Sequence, residues 1–224
     1  VAGGITALAS SKPRRTPGVV ASDHETRFLD GLVRYAEKGV TRFHTPGHRG
    51  GRWIDPSLAV ALGAPALSLD VSDVLEGVAD SPGWTDALRH AQHMTAELFG
   101  ASGSRYLVNG TSGGIHAAVM SLAAGKEVLC SRASHLSVFA ACMLHRCALR
   151  TLPPDYDEEW DIPGPPTPQH VREALAAFRP ALFIETHPNY FGIAPDLAAV
   201  TPHLGGTFLL VDEAHGSHFR FCPQ

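Results

Sequence analysis

Several things are scarce in this 224-residue sequence, and each scarcity excludes a class of function. No C-x-x-C pair joins the four cysteines, Cys130, Cys142, Cys147 and Cys222. No apolar run approaches the roughly 20 residues that cross a bilayer, and no signal peptide opens the chain. A reducing cytoplasm is therefore the expected compartment. Basic residues are scattered apart from Arg14 and Arg15, and the net charge is −4, so neither nucleic acid nor a membrane surface is expected as a partner. The chain starts at Val1 rather than Met and ends in "FCPQ" directly after an acid and histidine cluster, which reads as a piece of something longer. What is present is 44% hydrophobic residues, enough for a sizeable core, and a small or polar ligand is the expected partner.

Residues 1–21 mix small residues, Pro and Gly without period and read as a flexible tail. Residues 22–82 form an N-terminal arm. Ser22 or Asp23 is a candidate N-cap, Phe28, Leu29, Leu32, Val33 and Ala36 recur at helical spacing, and Gly39 stands at the C-cap. The rest of the arm, including "RFHTPGHRGGRW" (42–53), is too rich in Gly and Pro for an element interior.

From 83 to 224 the pattern is regular. A helix over 84–99 stops at Gly100, "RYLV" (105–108) is a strand, and "GTSGG" opens a helix to Ala124. "EVLC" is a strand, a helix follows over 136–146, "ALRTL" is a strand, and Thr167-Pro168 caps a helix to Phe178. "ALFIET" is a strand, 195–204 a helix, and "TFLLVDE" a strand; "PPDYDEEWDIPGPPTPQ" reads as a surface excursion. Short apolar strands alternating with helices predict an α/β fold: a three-layer, mostly parallel sheet covered on both faces.

In such sheets ligands bind beyond the carboxyl ends of the strands. Four strand ends carry suitable groups: "NGTSGG" (109–114), "SRASH" (131–135), "HPNYFG" (187–192) and "DEAHGSH" (212–218). The last could be the Mg²⁺-holding acids of a helicase, but no G-x-x-x-x-G-K-[ST] loop accompanies it; Gly125-Lys126 is followed by Glu127. A metal site could draw on Asp212, His215, His218, His44 and His48, yet no H-E-x-x-H or cysteine pair supports one, and no metal is expected. Taken singly, an Asp at a strand end caps a turn and a histidine bonds nearby backbone. The third reading is a pyridine cofactor: an acid to pair with a protonated ring nitrogen, a Gly/Ser/Thr helix start for a phosphate, and an imidazole to stack on the ring. All three parts are present after three different strands, and their conjunction favours this reading.

The ordered segments "FHTPGHRGG", "LFGASGSRYLVNGTSGG", "RASHLSV", "PNYFG" and "VDEAHGSHF" resemble the pyridoxal-phosphate-dependent ornithine/lysine/arginine decarboxylases, whose fold is that of aspartate aminotransferase (fold type I). The resemblance spans about residues 25–221. It implies that Gly110, Thr111 and Ser112 hold the phosphate, that His135 stacks on the ring, that Asp212 pairs with the pyridine nitrogen, and that Ala214 and His215 line its surroundings. His135, Asp212 and His215 are the implied catalytic residues; His44, His48, Tyr190 and His218 are substrate or interface candidates. The implied reaction is loss of the α-carboxylate of arginine, lysine or ornithine as CO₂, in a homo-oligomer. The chain departs from the family at Arg49 and Leu136, where lysine is usual, and at Gly113, Gly114 and Ile115, where an Asn is common.

The resemblance also implies a cofactor-binding lysine in a Ser-x-His-Lys motif beyond the D-E-A-H strand, and the sequence reaches Gln224 before it. Lys12, Lys38 and Lys126 are the lysines present. Lys38 stands in the last turn of a helix and Lys126 at the start of a strand, so neither is expected at the site. The expectation is an incomplete major domain, completed by further chain or by a second polypeptide; the alternative is an inactive remnant or subunit that binds the cofactor weakly or docks on a partner.

Overall fold

The structure is a computed structural model and describes residues 4–6, 27–72 and 82–222. The chain divides into two compact units, one of Val1–Arg15 with Arg105–Gln224 and the other of Thr16–Ser104.

The first unit is built on a five-stranded sheet. Its strands are β1 (Gly4–Thr6), β2 (Glu127–Ser131), β3 (Ala148–Leu152), β6 (Leu182–Thr186) and β7 (Phe208–Glu213), in the order β1-β7-β6-β2-β3. β3, β2, β6 and β7 are mutually parallel, and β1 runs antiparallel to β7. The helices are α5 (Gly110–Ala123), α6 (Leu136–Leu144), α7 (Pro168–Phe178) and α8 (Leu197–Val200). Strand alternation sends Cys130, Ile184 and Leu210 to one face, where they pack with Ile115 and Val119 of α5 and Val138 and Ala141 of α6. Leu129, Phe183 and Leu209 face the other way, onto Val171 and Leu175 of α7 and Val200 of α8. Because both faces are covered, every position of β6 and all but the first of β2 are buried, around the apolar runs Val128–Cys130 and Leu182–Ile184. The expected parallel sheet flanked by helices is therefore present.

Local signals act as anticipated at several places. The Thr167 side chain accepts from the His170 N–H and Pro168 occupies the first turn of α7. The excursion at 153–169 carries a small hairpin, β4 (Tyr156–Asp157) with β5 (Ile162–Pro163).

Three expectations are corrected. Residues 105–108 take no place in either sheet, and Val108 is 99% exposed. A short run such as Tyr106–Val108 becomes a strand only where a ladder edge receives it, and the outer edge of β7 is taken by β1. Gly4–Thr6, read as part of a tail, is accordingly a strand, with Ile5 opposite Asp212. The helix expected over 195–204 is a single α-turn, Leu197–Val200, that tightens into a 3₁₀ turn at Thr201–His203, where Pro202 supplies no backbone N–H.

The second unit contains α1 (Arg27–Glu37), α2 (Pro56–Leu62), α3 (Ala64–Leu69) and α4 (Pro82–Phe99). α1 packs against α3 and α4, and Gly39 and Gly100 end α1 and α4 at positive φ. The proposed caps Ser22 and Asp23 lie outside the described residues.

Candidate functional site

The carboxyl ends of β2, β6 and β7 and the segments that follow them gather the unit's buried polar groups among the described residues: Ser131, Ser134, Ser137, Glu185, Thr186, Asn189 and Asp212. Thr186 and Asp212 are register partners. Two residues beyond Ile184 and Leu210, they lie on the sheet face that α5 and α6 cover.

Asp212 is 3% exposed, and its Oδ1 accepts from the Ala214 N–H at 3.1 Å. That bond turns the chain sharply after the strand. Gly216 then passes so close to the preceding loop that a Cβ there would collide with the His187 carbonyl oxygen and meet Pro188 Cδ at 2.7 Å. The glycine in "DEAHGSH" is a requirement of close backbone approach. Thr186 Oγ1 is buried without a hydrogen-bond partner, an arrangement that leaves a hydroxyl available to a ligand.

The start of α5 supplies a second element. Asn109 is its N-cap but makes no side-chain cap bond, and the first intrahelical bond runs from Gly113 N–H to the Asn109 carbonyl. The N–H groups of Gly110, Thr111 and Ser112 therefore have no helical acceptor, and they sit at the positive end of a 14-residue helix. Gly110 and Ser112 are exposed and Thr111 is half-buried, so an anion can reach them.

His135 caps α6. Its Nδ1 accepts from the Ser137 N–H at 3.2 Å and lies 2.8 Å from Ser137 Oγ, which leaves Nε2 as the proton-bearing nitrogen of a neutral ring. The ring is held by these contacts while remaining exposed.

Around the same strand ends runs an aromatic rim. Tyr190, 85% exposed, meets His215 edge to face with centroids 6.5 Å apart, and His218 meets Phe219 at 4.6 Å. His187 Nδ1 lies 3.3 Å from Glu213 Oε1. Asn189 organises the intervening loop: its carbonyl oxygen accepts from the Phe191 and Ile193 N–H groups, and its amide donates to the Pro163 carbonyl.

Gly110, Thr111, Ser112, His135, Tyr190, Asp212, Ala214, His215 and His218 thus all belong to the sheet unit, on segments that follow its strands or open α5. His44 and His48 belong to the other unit, where His44 Nε2 lies 3.1 Å from the Tyr35 hydroxyl and His48 Nε2 3.1 Å from Asp70 Oδ2. Lys126 lies at the start of β2, at the opposite end of the strand from the site. Lys38 follows α1 in the other unit, and Lys12 is outside the described residues.

Residues that the sequence reasoning missed include Thr186, Asn189 and Glu185. Glu185 is 3% exposed, and burial pushes its carboxyl up to about 8. An acid inside the apolar run "ALFIET" was the available signal. The chemistry on offer is a buried carboxylate, an unengaged hydroxyl beside it and a helix start suited to a phosphate, a donor set that fits a phosphorylated heteroaromatic group.

Comparison with known proteins shows the family and the fold. Residues 26–224 match the model of the family described as Orn/Lys/Arg decarboxylase, major domain. The chain is similar to an arginine decarboxylase of Bacillus subtilis, 33% identical over 207 residues that cover 91% of this chain and 42% of the relative. It is also similar to an arginine decarboxylase of Halalkalibacterium halodurans, 31% identical over 90% of this chain and 42% of the relative. The chain thus spans under half the length of these relatives. Among solved structures, the constitutive lysine decarboxylase of E. coli superposes with a TM-score of 0.60 at 25% identity, over 80% of this chain and 27% of that one. Lysine decarboxylase A from Pseudomonas aeruginosa shares the fold with a TM-score of 0.66 at 24% identity, over 80% and 26%.

Proposed function

The chain belongs to the Orn/Lys/Arg decarboxylase family, and from that premise we propose that it forms part of a pyridoxal 5'-phosphate-dependent enzyme that removes the α-carboxylate of a basic amino acid. The names of its relatives put arginine first among arginine, lysine and ornithine. When bound, the cofactor supplies an electron sink for the pair of electrons left behind as CO₂ departs. Every other contribution comes from the protein.

The N–H groups of Gly110, Thr111 and Ser112, with the Thr111 and Ser112 hydroxyls, would take the phosphate at the positive end of α5. The Asp212 carboxylate would hold a proton at the pyridine nitrogen through a charge-assisted bond; Oδ1 is oriented by the Ala214 N–H, and burial keeps water from competing. The Thr186 hydroxyl would donate to a polar group on the ring. His135, pinned through Nδ1, would lay its ring on the cofactor, and Ala214 and His215 would line the surroundings. Tyr190, His218 and, from the other unit, His44 and His48 are candidates for substrate contacts or for an interface between subunits of a homo-oligomer. The rest of the active site would come from further chain or a completing polypeptide.

The observation that carries this reading is the pairing of a buried Asp212 with the unengaged Thr186 Oγ1 on the face covered by α5. Equilibrium dialysis of the 224-residue chain against pyridoxal 5'-phosphate tests the cofactor role. Binding should weaken about tenfold or more in Asp212→Ala and in Thr111→Val/Ser112→Ala, the loss of one or two charge-assisted bonds; binding indifferent to both would refute it. For the reaction, labelled CO₂ release from arginine, lysine and ornithine is measured with a full-length protein carrying this sequence. Asp212→Ala should lose about 10²-fold or more, and full activity in that variant would overturn the mechanism.

A further inference from the structure

The unit of Thr16–Ser104 contains a cavity of about 340 Å³ that the proposed decarboxylation does not use, lined among others by Thr41, Arg42, Arg49, Arg52, Trp53 and Ser68. Its described lining carries three guanidinium groups and no carboxylate.

Arg42 is the informative member. Its Nη2 donates to the Ser68 carbonyl at 2.7 Å and its guanidinium lies 5.4 Å from the Tyr35 ring centroid, so the head group is fixed in place. Its Nη1 is buried and has no hydrogen-bond partner. Gly50, at φ +70°, leaves the space that this nitrogen occupies; a Cβ there would stand 2.9 Å from it. Arg49 is laid against two aromatic rings, 5.3 Å from the Phe43 centroid and 5.0 Å from that of Trp53. Arg52 is exposed at the rim.

A buried guanidinium N–H without an acceptor costs free energy that an incoming oxyanion would recover, and charge-assisted bonds to guanidinium are among the stronger ones available. Charge selects the class of ligand. One carboxylate would leave two of the three positive charges uncompensated, whereas a dianion with several acceptor oxygens engages the fork of Arg42 together with its neighbours. Trp53 adds an apolar wall suited to a carbon skeleton attached to the anion.

We propose that this cavity is a binding site for a small phosphate-type dianion, with Arg42 as its central donor and Arg49 and Arg52 as flanking cations. The site stands apart from the decarboxylase reading and does not depend on it. Potassium phosphate and phenyl phosphate, titrated separately at constant ionic strength into the 224-residue chain carrying Trp84→Phe and Trp160→Phe, make Trp53 the sole tryptophan reporter. A saturable change in Trp53 emission is expected, with affinity at least tenfold weaker in Arg42→Ala and unchanged in Thr111→Val, which affects only the phosphate position proposed at α5. Tighter binding of phenyl phosphate would assign a phosphate ester, and equal binding the free anion; either supports the site. Should Arg42→Ala fail to fold, Arg52→Gln, altering an exposed side chain, should weaken binding at least threefold. No saturable change with either probe, or a change that Arg42→Ala and Arg52→Gln leave intact, overturns the proposal.

Discussion

The two compact units differ in the charge they hold inside. In the sheet unit, acids are taken inside: Glu185 and Asp212 are each 3% exposed at the ends of adjacent strands, held by backbone that the parallel ladder has already fixed. In the helical unit the charge held against the fold is a cation, Arg42, which donates to the Ser68 carbonyl, while Arg49 lies outside across Phe43 and Trp53, rings that are 82% and 71% exposed. The difference follows from what each scaffold can hold rigid. A ladder closed on both faces supplies fixed N–H groups and excludes water, so a carboxylate can be oriented there. Short helices joined by glycine-rich turns have no such ladder, and the cations there meet a backbone carbonyl, as Arg42 does, or planar side chains, as Arg49 does.

The largest disturbance should come from the core beneath the acids. Phe183→Ala, emptying a fully buried position on β6, should destabilise the chain by about 3–5 kcal/mol. The matching truncation in the helical unit, exposed Val60→Ala, should change stability by no more than about 0.5 kcal/mol. Urea unfolding of both variants makes the test, and similar losses would erase the contrast between a covered sheet and an open helical surface.

Glu185→Gln sharpens the comparison through pH. The carboxyl, ordinarily near 4.5, sits at about 8 in the fold because burial disfavours its charge. The folded chain therefore keeps the proton that the unfolded chain releases. This group's contribution to stability is fully present below about pH 4.5, declines as pH rises and is gone above about 8. Glutamine does not titrate, so the variant should flatten the fall between pH 5 and 8 and gain on the order of 3 kcal/mol near pH 7. The urea midpoint across that range is the readout; a slope equal to the parent's would mean that Glu185 is ionised in the fold.

A smaller loss, about 1–3 kcal/mol, is expected for Gly216→Ala, whose new methyl must push the turn after β7 away from His187 and Pro188. Its sharper signature would be weaker binding of pyridoxal 5'-phosphate, because the displaced turn carries Ala214, whose N–H orients Asp212. Smallest of all, Phe43→Ala should cost about 0.5–1 kcal/mol by removing one of the two rings under Arg49. A loss as large as that of Phe183→Ala would show that the exposed ring supports the unit's core.

Much of the sheet was legible because burial on both faces forces an unmistakable composition: "EVLC", "ALFIET" and "TFLLVDE" each became the expected strand. The parts of the candidate site were legible through their order along the chain, a Gly/Thr/Ser helix start, a histidine after one strand and an acid after another. "RYLV" misled because its apolarity says nothing about which edge is open to it, and Gly4–Thr6 was invisible because three residues are too few to carry a period. Asn189 was unreadable for a related reason: its three bonds close a loop whose shape depends on Pro163, 26 residues earlier in the chain.

By itself, the sequence determined the alternation of strands and helices, the family, and the side-chain chemistry at each strand end, since these depend on residue type and local spacing. Only the tertiary structure decided that Asp212 is buried next to an unengaged threonine, that Glu185 sits in a low-dielectric interior, and that Arg42, which lines a cavity, keeps a buried nitrogen without a partner. Burial and satisfaction are properties of what surrounds a group, and those surroundings are assembled from segments distant along the chain.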